Sequence, residues 1–131
     1  MTVVKGWKEE NFILRGQLGT YAVYNQNISG AAPAVSVDWT NGAVQSLNFS
    51  SASGIPVITF SNPITGSILC LKLQNHGSVP ITSITYTGAG STVYFEGAVN
   101  ANPTASNSAI DWLSGVYDGS KYYFVFRKGF G

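Results

Sequence analysis

Ile110-Asp111-Trp112-Leu113-Ser114-Gly115-Val116-Tyr117-Asp118-Gly119-Ser120-Lys121-Tyr122-Tyr123-Phe124-Val125-Phe126 is the stretch that decides the fold. Two apolar, aromatic runs flank Asp118-Gly119. A tight hairpin turn needs positive φ, which this pair tolerates, so the stretch predicts two strands joined by a turn. Along the second strand Tyr122, Phe124 and Phe126 share one face, and Tyr123, Val125 and Arg127 share the other. A strand this aromatic needs cover from a second sheet or from a neighbouring subunit.

Working outward, the same grammar repeats. Val35, Val37 and Trp39 alternate with polar residues and fall on one face. Asn41-Gly42 then predicts a hairpin into Val44–Phe49, with Leu47 and Phe49 inward. Further strands are expected at 20–24, 55–60, 67–73, 80–86 and 91–95. The 67–73 strand is apolar on both faces and therefore central. Small-residue loops are expected at 25–33 and 50–54, a turn at 74–79, and a longer irregular stretch at 97–108. About nine short strands separated by turns, with no convincing amphipathic helix, give an all-β fold. The expected form is an antiparallel β-sandwich or jelly-roll-like single domain.

Composition agrees. The chain has 131 residues, enough for one domain with a proper core, and carries seven basic and six acidic residues for a net charge of +1. Gly, Ser, Thr and Asn together number 50, so the polar surface is mostly neutral. That balance gives no reason to expect nucleic acid or an anionic membrane as partner. No apolar run approaches the roughly 18 residues of a membrane helix, and the charged start predicts no signal peptide.

The first residues differ from the rest. Residues 1–19 hold five charges together with Trp7, Phe12, Ile13 and Leu14, and read as an N-terminal arm ahead of a β-domain at 20–131. Simple tails rarely carry so much apolar surface.

Reactive groups are sparse. The single cysteine, Cys70, lies within Ile68-Leu69-Cys70-Leu71 and reads as a buried small hydrophobe. The one histidine, His76, has no spaced partners for a metal site, so no metal or cofactor is expected. Asp38 and Asp111 each precede a tryptophan, where a carboxylate can accept from nearby backbone donors, and Asp118 belongs to its turn. No catalytic set emerges, and the chain is expected not to be an enzyme. Seventeen aromatic residues are the other lead. They fit core and subunit interface, with sugar stacking as the rival.

Several pieces, in order, carry a family resemblance: Val37-Asp38-Trp39 and Gln45-Ser46-Leu47-Asn48-Phe49; Ile58-Thr59-Phe60-Ser61-Asn62-Pro63 with Gly66 and Leu69-Cys70-Leu71; Phe95-Glu96-Gly97 with Asn102-Pro103-Thr104; and Ile110-Asp111-Trp112 with Val116-Tyr117-Asp118-Gly119-Ser120-Lys121-Tyr122-Tyr123. From Val37 to Phe126 the chain resembles a β-rich module of structural proteins in tailed bacteriophages and some other large DNA viruses. Tyr86-Thr87-Gly88-Ala89-Gly90 stands where that family has a tryptophan-proline stretch. The resemblance implies a non-enzymatic virion component made in the host cytoplasm. A capsid decoration (cement) protein on the capsid surface fits best, with a tail or fibre subunit as the alternative and a carbohydrate-binding module as the third reading. The major capsid protein or another virion protein would be its partner, and a homotrimer its assembly. Trp7, Phe12, Ile13, Leu14, Tyr21 and Tyr24 are the expected capsid or subunit contacts. Trp39, Trp112, Tyr122, Phe124 and Phe126 are the expected core or interface anchors.

Overall fold

The structure is a computed structural model that describes residues 23–76, 80–106 and 108–130. Among these residues it has nine strands: β1 (Tyr24–Ala31), β2 (Ala34–Asp38), β3 (Val44–Ser53), β4 (Val57–Ser61), β5 (Ile68–His76), β6 (Thr85–Thr87), β7 (Thr92–Phe95), β8 (Ser108–Tyr117) and β9 (Lys121–Phe130). The large sheet has the order β1-β3-β5-β8-β9-β7, and the small sheet has the order β2-β4-β6. The fold is all-β, as expected. The arm at 1–19 and its boundary lie outside the described residues.

Strand direction departs from the antiparallel expectation. Successive strands from β1 to β6 alternate between the two sheets, so each pair makes one turn of a coil. The next turn then stacks in parallel: β1 on β3, β3 on β5, β2 on β4 and β4 on β6. Among the described residues only β5–β8 and β8–β9 are antiparallel strand pairs, and β7 joins β9 in parallel at the edge.

The corners explain how the coil stacks. Pro33 and Pro56 occupy equivalent corners, where a missing N–H breaks no ladder. Their carbonyls accept from Val57 N at 2.9 Å and Thr85 N at 2.9 Å, in the next turn of the coil. Asn41-Gly42 is a corner of the same kind. A short 3-10 turn, Trp39–Asn41, leads into Gly42 at φ +140°, which sends the chain across to the other sheet, where a hairpin was expected. Buried Gln45 fastens it, with Nε2 donating to the carbonyls of Asp38 at 2.7 Å and Gly42 at 2.9 Å. The hairpin expected at Asp118-Gly119 does form, with Tyr117 opposite Tyr122 and Gly119 at φ +99°.

Two further expectations shift. The polar stretch from Asn25 is a strand, and β3 continues through Ser53. β1 is an edge strand held by backbone pairing that buries only Ile28, so its sequence lacks apolar alternation. Conversely, most of 80–86 forms no ladder, and the strand there begins only at Thr85. Asparagine side chains take the ladder's place there. Asn75 accepts from Ile81 N at 3.0 Å and donates to Ile81 O at 2.8 Å, while Asn100 donates to Ile84 O at 2.9 Å.

The core lies between the two sheets. Val35, Val37, Trp39, Ile58 and Phe60 face Leu47, Phe49, Leu71, Leu113, Tyr122 and Phe124 across it. Phe60 is its hub, 5.7 Å from the Trp39 ring, 5.4 Å from Tyr122 and 5.3 Å from Phe124. Gly115 lies opposite Phe124 because no side chain fits: a Cβ there would sit 1.9 Å from the Tyr123 carbonyl oxygen.

Candidate contact face

The large sheet has an inner face on the core and an opposite outer face that is partly exposed, with Ser46 buried at one end of it. Alternation sorts the residues. In β5, Leu69, Leu71 and Leu73 point in, leaving Ile68, Cys70 and Lys72 outside. In β8, Asp111 and Leu113 point in and Trp112, Ser114 and Val116 point out. Tyr123, Val125 and Arg127 take the outer face of β9.

Register then builds rows across the strands. Ile68 lies opposite Val116, Val116 opposite Tyr123, and Tyr123 opposite Tyr94. All four are large and apolar, and their relative exposures are 67%, 38%, 43% and 45% respectively. The two tyrosines stack at 5.5 Å between ring centroids, with the Lys121 Nζ 5.9 Å from the Tyr94 ring. A shallow pocket of about 200 Å³ opens beside them, bordered by Glu96 and Val125. A second row runs Ser46, Lys72, Trp112, Arg127, one residue on each of β3, β5, β8 and β9. Between the rows lie Val44, Cys70, Ser114 and Val125, all short. The apolar row would expose on the order of a few hundred Å², within the range of a functional patch on a monomer.

Asp38 and Asp118 are engaged within their own turns, as their sequence settings suggested, whereas Asp111 is held by residues farther off in the chain. Asp38 Oδ1 accepts from the Thr40 hydroxyl at 2.7 Å and Thr40 N at 2.9 Å. Those bonds, the hydroxyl's first, hold its pKa below the ordinary carboxylate value. Asp118 accepts from Lys121 N at 2.7 Å and Ser120 N at 2.8 Å, and these lower its pKa in the same way. Asp111 is fully buried and accepts from Thr104 N at 2.7 Å, Thr104 Oγ1 at 2.7 Å and Gly129 N at 2.8 Å. The likeness between the two Asp-Trp pairs ends there. Asp38 caps a corner and sends Trp39 into the core, whereas Asp111 lies within β8 and leaves Trp112 outside. Among the described residues no three His, Cys, Asp or Glu side chains gather into a metal-binding group. None of the described helices is long and apolar enough to cross a membrane.

The sequence-predicted residues divide accordingly. Trp7, Phe12, Ile13, Leu14 and Tyr21 lie outside the described residues. Tyr24 is exposed at the start of the edge strand β1. Trp39, Tyr122 and Phe124 are core, and Phe126 packs partly buried against them. Trp112 is half-buried on the outer face, away from these anchors. Cys70, expected in the core, also faces outward and is only half-buried, its Sγ 3.9 Å from the Ser114 hydroxyl. Ile68, Tyr94, Val116 and Lys72 went unnoticed in the sequence as site residues. Each sits on the outward phase of its strand, and because β5 is apolar on both faces, alternation alone does not single Ile68 out. Comparison with protein-family models, curated proteins and solved structures finds no match for this chain.

Proposed function

We propose that this protein is a non-enzymatic contact module of a virion, a decoration protein that binds an assembled capsid shell. The supporting observation is the in-register apolar row Ile68–Val116–Tyr123–Tyr94 on a rigid sheet. An exposed row of this size matches the largest apolar patch of an ordinary monomer, which is often functional, and suits docking against a protein. Its area is well below the roughly 800 Å² per partner of a stable pairwise interface. A repeating shell compensates, because a homotrimer would present three such rows at once and its contacts would act together. Carboxylates committed to turns and backbone donors fit a scaffold whose task is contact.

Purified virus particles test this directly. A decoration protein is recovered with the shell in a copy number that follows shell symmetry, and a tail or fibre subunit in a few copies only. Its absence from the particles would reject both. Deleting residues 1–15 tests the arm: a folded body that no longer co-sediments with shells is the expected result, and unchanged co-sedimentation removes the arm from the contact.

A further inference from the structure

We propose that the outer face of the large sheet holds a binding site for an acidic glycan, centred on Trp112 and flanked by Lys72 and Arg127. Lys72, Trp112 and Arg127 are register neighbours on β5, β8 and β9. Strands in a sheet lie about 4.8 Å apart, so the two cations are rooted on the order of 10 Å apart with the indole between them. One face of a pyranose ring presents C–H groups and stacks on an aromatic ring. Acidic substituents at the sugar's sides then reach a lysine ammonium on one flank and an arginine fork on the other. A neutral sugar would leave both cations idle.

The charge pattern of the face is one-sided. Among the described residues Asp111 points inward, and Asp38 and Asp118 are held in turns by their own loops. Glu96 stands at the rim beside Tyr94 and Tyr123, beyond the end of β7. The Trp112 row therefore carries two cations and no carboxylate, which favours an anionic ligand. The floor beside the indole is flat, because Cys70 and Ser114 are the next outer residues on β5 and β8. A nucleic acid fits less well: two cations and a net charge of +1 offer little to a phosphate backbone. The site does not depend on the virion reading, since the apolar row lies four residues along β8, on the order of 13 Å away.

The test uses the full chain and defined probes: heparin and hyaluronan oligosaccharides, neutral dextran, poly-L-glutamate and oligo-dT. The expected result is salt-sensitive binding of an acidic glycan, with dextran, poly-L-glutamate and oligo-dT at least tenfold weaker. Trp112→Ala and Arg127→Gln should each weaken that binding at least tenfold. Arg127 is exposed and Arg127→Gln keeps the stem, so its loss of binding is readable even if Trp112→Ala unfolds the domain. Trp112→Phe should retain most of the affinity. Failure to bind either acidic glycan overturns the proposal. So does poly-L-glutamate or oligo-dT binding as tightly as the glycan, or binding that survives Arg127→Gln.

Discussion

Replacing Asp111 with alanine should destabilise the domain by about 3 kcal/mol, because a buried donor left without an acceptor costs roughly 1–3 kcal/mol. Three donors lose their acceptor in that variant: the N–H and the hydroxyl of Thr104, and the N–H of Gly129. Gly129 is exposed and recovers a hydrogen bond from water, so its share is small. Thr104 is half-buried and supplies most of the loss. For a domain of this size about 3 kcal/mol corresponds to a fall in Tm of roughly 10 °C. Asp111→Asn should cost less, about 1–2 kcal/mol. Its amide oxygen replaces one carboxylate oxygen, and the Thr104 hydroxyl can turn to accept from the new NH₂, but one backbone N–H is left facing another donor. Urea titration gives both values. Hydrogen exchange supplies an independent readout, since the amides of Thr104 and Gly129 should lose protection before the β5–β8 ladder does. If Asp111→Ala lies within about 0.5 kcal/mol of the parent, the claim that this carboxylate fastens the segment around Thr104 and the end of β9 is wrong.

Gly115→Ala should cost about 3 kcal/mol or more, since its methyl meets the Tyr123 carbonyl oxygen and the Phe124 ring; thermal unfolding checks it. Tyr122→Phe should be neutral or stabilising, because among the described residues the buried Tyr122 hydroxyl has no partner; a loss above about 1 kcal/mol would refute this. Acid should weaken the fold. Asp38 and Asp118 have folded-state pKa values below their unfolded ones, so their contribution is present above about pH 4 and fades as pH falls further. A double Asp38→Asn, Asp118→Asn variant should flatten that limb of a urea-midpoint series. Base should act through Tyr122, whose pKa is pushed up to about 12 by burial first and Tyr117 second. Its contribution holds below about pH 10 and is lost as pH climbs toward 12, with Tyr86, raised chiefly by burial, adding to the same trend.

How much of this was legible follows from what alternation encodes. A period of two names the inward face of a strand, and it named Val37, Trp39, Leu47, Phe49, Tyr122 and Phe124 correctly. The same period serves parallel and antiparallel neighbours, so it says nothing about partners. Asn41-Gly42 can close a hairpin or turn a corner between sheets, and Gln45, which decides the matter by bonding the corner carbonyls, looks like any strand glutamine. β1 was illegible because an edge strand that buries one residue is specified by its backbone. The asparagines at 75, 100 and 102 read as loop punctuation, yet all three bond the backbone of Ile81 or Ile84 in place of a ladder.

The contact face was hidden for a related reason, and the same reason makes it dependable once formed. Ile68, Val116, Tyr123 and Tyr94 are scattered along the chain, and only register brings them into one row. Register is fixed from both sides. The Asp118-Gly119 turn sets β8 against β9, and Gly115 fits only beneath Phe124. A slip of one residue would send Val116 and Trp112 inward and turn Leu113 out to solvent. Core and contact face therefore stand or fall together under changes that move a strand. Ile68→Ser, which leaves register alone, should separate them: stability within about 0.5 kcal/mol of the parent by urea titration, with shell co-sedimentation reduced. Unaltered co-sedimentation would show that the row is not the docking surface, and a collapse in stability would show that Ile68 belongs to the core after all.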